Sequence, residues 1–579
     1  MHLAELRNAC WRLLIVFGIV SALLNAGCST SAANAQFATD LSQPQPPLPR
    51  IESQNGRHAL FVDGTPFIML CAQANNSSNY EAALPHVWAG VDALGANTLQ
   101  IPISWEQVEP VEGEFDFSFV DALLAQARER GVRVVPLWFG AFKNTSPSYA
   151  PDWVKLDNDR FPRMIRPDGD NHYALSPHSK ALKDADTRAF KALMEHIRKT
   201  DPYRTVIMVQ VENEVGVYGL VRDHSATAQA IFQSPVPADL TEALGVPSGD
   251  WQSVFGADAN EYFTAYEFAS YVGGLAAAGR EILDLPMYAN AALRHPIYPQ
   301  EPGEYATGGP TFNVLDIWKA AAPALSMLTP DIYIAESDPY LATLTQYARQ
   351  DNPLFVSETG TSEAYPRFFF ETLGRGAVGF SPFGIDATGY SNFPLGAAAS
   401  DDATIELFAQ NYSLVSDAIS EWARLGFENG MWGVSRPDDH SQRNLDIGKW
   451  RATVSFDEWQ FGRREWLPKD SDTIRPKNAS EYPNAGVLVA RLDENQFLVT
   501  GQNARIEFST NPDAQPGRNM IFVRVEEVIY RNGEWVFQRM WNGDQTDYGL
   551  NFTDLNQTLL VTLGTYESRN ESRPKATAF

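Results

Sequence analysis

Three cysteines in 579 residues are too few to staple a fold. Cys10 and Cys28 fall near the start, which leaves Cys71 with no intramolecular disulfide partner, so packing has to supply the stability. Cys71 closes the apolar run Phe67-Ile68-Met69-Leu70-Cys71, where a thiol serves as a small buried hydrophobe rather than a nucleophile. Basic residues are also short, with 45 Lys and Arg against 71 Asp and Glu and a formal charge of -26. That balance excludes a phosphate-reading face and with it a nucleic-acid partner. The nine histidines include no His-Glu-x-x-His and no pair four apart, so a zinc hydrolase is unsupported. A Gly-x-Ser-x-Gly elbow and a phosphate-binding glycine loop are missing as well; no cofactor and no metal is implied.

What is present suffices for large cores, at 44% hydrophobic and 12% aromatic residues. The length exceeds what one core usually holds, and two domains follow. Arg7 and Arg12 flank the start of an apolar run, Leu13 to Val20, that is too short to span a bilayer, and small residues come after it. Residues 1–35 therefore read as an export signal. Two cleavage sites compete. Leu24-Asn25-Ala26-Gly27-Cys28 has the form of a bacterial lipobox that would lipidate Cys28, although Asn25 stands where an aliphatic residue is preferred; Ala33-Asn34-Ala35 suits ordinary signal peptidase. The expectation is an exported protein, periplasmic or an outer-membrane lipoprotein of a Gram-negative bacterium, touching membrane only through Cys28. Residues 36–50 form a proline-rich, extended spacer.

From residue 51 to 427 strands and helices alternate. Candidate strands lie at 67–73, 98–104, 132–139, 206–211, 287–293, 326–333, 354–357 and 377–383. Helical patterns separate most of them, such as 120–130 closed by Gly131, and 189–197 with Phe190, Leu193, Met194 and Ile197 on one face. Eight such units fit a (β/α)8 barrel better than an open sheet. After residue 428 short alternating strands take over, with Asn532-Gly533 as a hairpin turn between two of them. The fold class is thus α/β: a (β/α)8 TIM barrel followed, over 428–579, by an antiparallel β-sandwich.

Two glutamates fall at the C-terminal ends of candidate strands, where barrels of this kind carry their sites. The fourth strand runs out through Val211-Glu212-Asn213-Glu214 and the seventh through Val356-Ser357-Glu358. Strands four and seven face each other across a barrel mouth. One carboxyl can then protonate a glycosidic oxygen while the other, about 5–5.5 Å away, attacks the anomeric carbon of the same sugar with retention. Glu214 is the candidate acid/base and Glu358 the candidate nucleophile. Glu212 should turn away from its neighbours as a structural group.

Asn-Glu after strand four with Glu after strand seven resembles the large clan of retaining β-glycosidases. Phe61-Val62-Asp63-Gly64-Thr65-Pro66-Phe67, Trp105-Glu106-Gln107-Val108-Glu109-Pro110, Gly113-Glu114-Phe115-Asp116-Phe117 and Gln210-Val211-Glu212-Asn213-Glu214 are similar to glycoside hydrolase family 35, the β-galactosidases. The resemblance covers residues 55–400. It implies that Asn213 bonds the sugar 2-hydroxyl and that Tyr333 orients the nucleophile. Lys143, Asn144 and Trp138 are further candidate sugar contacts, since an indole stacks on a sugar face, with core packing as the alternative for Trp138. Trp138-Phe139-Gly140-Ala141-Phe142-Lys143-Asn144 departs from the common family pattern and, with the β-rich tail, resembles a bacterial subgroup active on plant polysaccharides. An exo-acting retaining β-galactosidase removing terminal β-galactose from xyloglucan-like oligosaccharides is the implied function. An endo-β-glycanase of the same clan, or a carbohydrate-binding surface protein without catalysis, are the alternatives. If Cys28 is acylated, Cys28→Ala should move the protein from the membrane fraction to the soluble periplasm; unchanged fractionation with no lipid mass on the mature N-terminus would favour cleavage after Ala35.

Overall fold

The computed structural model describes residues 45–393, 395, 397, 402–456 and 483–567. The expected export signal with Cys28, and the first part of the spacer, lie outside the described residues.

Eight parallel strands close into a barrel in sequence order. They are β1 (Met69–Gln73), β2 (Thr98–Ser104), β3 (Arg133–Lys143), β4 (Val209–Asn213), β5 (Met287–Ala292), β6 (Met327–Ile332), β7 (Val356–Thr359) and β8 (Gly379–Pro382). Their near-continuous burial is what a parallel sheet covered on both sides requires. Alternate residues divide between two cores. Met69 and Cys71 of β1, with Val135, Leu137 and Phe139 of β3, belong to one cluster with Tyr288, Met327 and Phe355. Leu70, Ala72 and Val134 instead join the helix-facing cluster that holds Trp88 and Leu123. A small antiparallel sheet of Arg50–Gln54, Arg57–Val62 and Thr65–Phe67 precedes the barrel, and its Leu60 and Val62 complete the first of these clusters. Cys71 is a buried free thiol, pushed well up by that burial.

Beyond the barrel the strands are antiparallel, as the alternation of short strands implied. Six of them (431–435, 486–491, 496–502, 558–567, 518–531 and 534–540) make one sheet in that order, and four (443–447, 450–456, 504–510 and 550–552) make another. Trp450, Val454, Val487, Val499, Phe508 and Val561 form a core of their own between them. The Asn532-Gly533 turn closes the hairpin of 518–531 and 534–540 with both residues at positive φ, 53° and 85°, the conformation that makes this dipeptide a hairpin signal.

Candidate active site

The ends of β3 and β4 lie side by side, and their backbone departs from strand geometry together. Glu212 and Glu214 have φ of 60° and 45°, Asn144 and Thr145 of 49° and 73°. Such left-handed conformations at non-glycine residues cost about 1–3 kcal/mol each and persist only where the surroundings enforce them. They have a purpose here: regular alternation would put Glu212 and Glu214 on one face. The left-handed turns send them apart instead, Glu214 into a cavity and Glu212 behind β3. Gly216 has to follow, because a side chain there would come within 2.6 Å of the Ala306 carbonyl oxygen, at a φ of +123°.

The cavity at the barrel mouth encloses about 390 Å³. Its walls include Glu214, Glu358, Lys143, Asn144 and Tyr333, five of the residues expected from sequence, together with Asn76, Tyr218, His295, Gln300, Asp331 and Phe383. One carboxylate oxygen from each of Glu214, Asp331 and Glu358 lies within 4.8 Å of the others. Glu358 is held at both oxygens, by Gln73 Nε2 at 2.7 Å and by the Tyr333 hydroxyl at 2.7 Å. Burial, with three nearby carboxylates adding to it, pushes the Tyr333 phenol well up, so it remains a donor. Burial raises Glu214 to about 7; the Glu358 charge adds to that, while Lys143, its Nζ 3.9 Å from Glu214 Oε2, opposes it. Lys143 Nζ also donates to Asn144 Oδ1 at 2.5 Å. Among the described residues this carboxylate trio is the one group spaced to grip a cation. Its oxygens are already met by amide and hydroxyl donors and by an ammonium group, which is a poor fit to a metal.

Two expected contacts lie elsewhere. Trp138 is fully buried, packs on Phe190, and donates its indole N–H to Asp186 at 2.9 Å, so it supports the wall from behind rather than facing a sugar. Asn213 is 0% exposed. It accepts from Gln210 Nε2 and Asn290 Nδ2 and donates to Asn144 Oδ1, which places it beneath the cavity as a tie between strands. Phe142, beside Lys143 in the same run, is buried against Phe268 and Tyr271.

Sequence reasoning passed over Asp331, Gln73 and Asn290. Each is a polar residue within an otherwise apolar barrel strand, and that is the signal that could have found them. Asp331 also sits two residues before Tyr333, a spacing that places both on one side of the chain.

Glu212 and Asp186 form a second, fully buried acidic pair. They are hydrogen-bonded to each other. Asp186 takes Trp138 Nε1 on Oδ1, and the Ala141 amide and the Tyr271 hydroxyl on Oδ2; Glu212 Oε2 takes the Phe142 amide at 2.8 Å. Asp186 has two close donors, the Trp138 indole and the Tyr271 hydroxyl, and Glu212 one, the Phe142 amide, while the Ala141 amide is shared between the two acids at 3.2 Å, so the shared proton is assigned to Glu212. Gly140 is obligatory beside them, since a Cβ would fall 2.5 Å from Glu212 Oε1 and 2.7 Å from Asp186 Oδ1. The pair thereby clamps the backbone immediately before Lys143 and Asn144.

A family model described as beta-galactosidase, of glycoside hydrolase type 42, matches residues 88–261, and a domain of unknown function, DUF5597, matches residues 408–553. The matched hydrolase model is thus numbered 42, in place of the family 35 that the motifs resemble. A beta-galactosidase of Xanthomonas manihotis is 30% identical over 162 residues, 26% of this chain and 24% of that protein, so the match spans about a quarter of the relative's length. Solved structures with similarity include beta-galactosidase from Bacillus circulans sp. alkalophilus (TM-score 0.45, 10% identity, 61% of this chain and 57% of that one). Beta-galactosidase from Marinomonas ef1 gives a TM-score of 0.42 at 13% identity, over 61% of each chain. An exo-beta-1,4-mannosidase from Opitutaceae bacterium strain TAV5 gives 0.39 at 15%, over 64% of this chain and 63% of that one.

Burial and the Asp186 charge raise Glu212 well above the carboxylate range, so its folded form binds a proton that the unfolded chain releases near pH 4.3. Its stabilising contribution is complete below that pH and declines on the way up to the folded pKa, by about 1.4 kcal/mol per pH unit. Glu212→Gln preserves a donor to Asp186 and cannot ionise. Thermal melting from about pH 5 to 9 should show the wild type losing ground to Glu212→Gln as pH rises; parallel curves would mean that the pair carries no shared proton.

Proposed function

We propose that the protein is a retaining glycoside hydrolase that removes terminal β-galactose, with Glu214 as acid/base and Glu358 as nucleophile. The observation that carries this reading is the meeting of the two carboxylates, from opposite sides of one barrel mouth, with oxygens no more than 4.8 Å apart. That spacing supports double displacement, because inverting enzymes hold their carboxyls about 6.5–9.5 Å apart to admit a water. The environments divide the roles. Glu214, raised to about 7, can hold a proton at neutral pH. Glu358 is gripped by two donors, which fix its direction of attack.

In the first half-reaction Glu214 protonates the leaving oxygen while Glu358 bonds the anomeric carbon. In the second, Glu214 takes a proton from water as that water displaces Glu358. An unpaired acceptor suits a sugar: Asn76, on the cavity wall, has an Oδ1 that is buried and finds no donor among the described residues, and sugar hydroxyls are donors. Galactose as the sugar rests on the family match over 88–261, a span that contains Glu214. Action at a chain end is supported by Tyr218, from the segment after β4, and by Leu293, His295 and Gln300, after β5, which wall the cavity.

The aglycone reading remains plant cell-wall oligosaccharide of the xyloglucan kind. With Phe142 buried, and Trp153 packed on Trp105 and Phe161, the exposed aromatics offered for further sugar units are Tyr80 and Tyr390, 51% and 59% exposed, which neighbour Tyr149. Rings of this kind stack on further sugar units, whose binding energy can be used to lower the barrier.

Glu358→Gly should abolish turnover, and azide should restore the rate with inverted anomeric product, read by proton NMR. Glu214→Ala should lose about 10²–10⁴-fold on natural glycosides but far less on activated aryl galactosides. Near-normal rates in both variants would sink the assignment. A separate comparison addresses the substrate: catalytic efficiency should be higher on galactosylated xyloglucan oligosaccharides than on lactose, and a clear preference for lactose removes the polysaccharide claim.

A further inference from the structure

The barrel closes where β8 meets β1, and the backbone joins the two strands sparsely. Gly379 pairs with Met69 and Phe380 with Leu70, and a single bridge follows between Phe383 and Gln73. Between these points the Tyr412 hydroxyl, from the helix Asp402–Ser416, stands 2.8 and 2.9 Å from the Cys71 and Phe380 carbonyl oxygens, so a side chain fills the gap in the ladder. The end of β1 carries Gln73, whose Nε2 holds Glu358 Oε1 at 2.7 Å, and beyond it Asn76 reaches the cavity wall. Just past β8, Phe383 lines the same cavity and meets the Tyr333 ring edge-on, with centroids 6.5 Å apart. Tyr333 is the other donor to Glu358. Both grips on that carboxylate therefore abut one seam.

Asp386 fastens the seam at the mouth. It is fully buried. Its Oδ2 accepts the Asn75 amide at 2.7 Å, and its Oδ1 accepts Asn75 Nδ2 at 2.9 Å and the Thr388 hydroxyl at 2.6 Å. A buried carboxyl group is costly unless its hydrogen bonds are met, and here both oxygens are met by Asn75, the residue that stands between Gln73 and Asn76 on the wall side. The turn after β8 is shaped to bring the acid there. The Gly384 and Ile385 amides both donate to the Gln73 carbonyl, at 2.9 and 3.1 Å. Gly384, at a φ of +74°, passes so close that a Cβ would fall 2.8 Å from Asn75 Oδ1.

We infer that Asp386 is a positioning residue: by clasping Asn75 across the barrel seam, it holds Gln73 where its amide directs Glu358. This rests on the reading of Glu358 as nucleophile. Gln73 sits at a strand end, and the two ladder pairs that fix β1 to β8 lie at the other end of the strand. Without the clasp the mouth end of β1 can splay from β8 and carry the Gln73 amide away from its oxygen. A displacement of about 1 Å at a reacting group costs on the order of 10²-fold in rate.

The test is a double-mutant cycle in kcat/KM on an aryl galactoside, with Asp386→Ala and Gln73→Ala made singly and together. That quantity reads the step in which Glu358 attacks. Asp386→Ala should lower it by about 10- to 100-fold. Added to Gln73→Ala it should cost little more, because the two residues act through one contact. Losses that multiply in a folded double variant overturn the inference, since Asp386 would then act by general support of the barrel. Should Asp386→Ala not fold, Asn75→Ala removes the side-chain half of the clasp and enters the same cycle with a smaller expected loss. A crystal structure of the folded variant reads the claim without turnover. Gln73 Nε2 should have left hydrogen-bond reach of Glu358 Oε1, and a contact kept at 2.7 Å overturns the inference. A wild type that cleaves no galactoside defeats the underlying reading of function instead, and the crystal structure still decides whether Asp386 sets the contact.

Discussion

Like charges buried together set the terms for this site. At 4.8 Å two carboxylates repel by roughly 3–4 kcal/mol at an effective dielectric of about 20. Three of them share one barrel mouth. Such a cluster is tolerable only if protons are shared, if donors meet the remaining lone pairs, and if nothing can relax to spread the charges apart. Lys143, Tyr333, Gln73, Asn290 and Ser357 meet the second condition, and each reaches its carboxylate from a different strand or strand end. The barrel supplies the third, since moving one acid outward would break the hydrogen bonds of a closed sheet.

The same constraint explains the second acidic pair. Asn144 and Lys143 can moderate Glu214 only if the end of β3 bulges toward β4, and register between the two strands does shift between Trp138 and Lys143. A bulge leaves backbone amides without ladder partners, and those of Ala141 and Phe142 are taken up by Asp186 and Glu212. The strain of the left-handed residues at 144, 145, 212 and 214 is thus balanced by a buried hydrogen-bond network and not by the sheet itself.

Much of this was legible in the chain. Apolar runs spaced by helical periodicity marked all eight barrel strands, because a parallel sheet covered on both faces leaves that pattern, and Glu214 and Glu358 stood out by falling at strand ends. Trp138 and Asn213 were misplaced because alternation assigns faces only along a regular strand: Asn213 stands between Glu212 and Glu214, both at positive φ, and Trp138 lies where the register of β3 on β4 begins to shift. Asp331 was hidden by the opposite difficulty. It lies inside a strand where alternation held, but a single acid in an apolar strand does not say which acids it will meet, since Asp331 and Glu358 are far apart in sequence. That encounter is set by the register of β6 on β7.

The antiparallel tail connects to the site through those same two strands. Asp438 accepts from the Ser337 amide and from Arg367, Ser435 bonds the Arg367 carbonyl, and Gly433 approaches the Phe370 carbonyl so closely that an added Cβ would sit 1.8 Å from its oxygen. Ser337 begins the helix after β6, and Phe370 belongs to the helix after β7. The tail therefore grips the connections that follow Asp331, Tyr333 and Glu358, whereas Glu214 and Lys143 are held by the network behind β3. One half of the site is braced by the antiparallel tail and the other by buried hydrogen bonds, and the carboxylates meet where the two supports face each other.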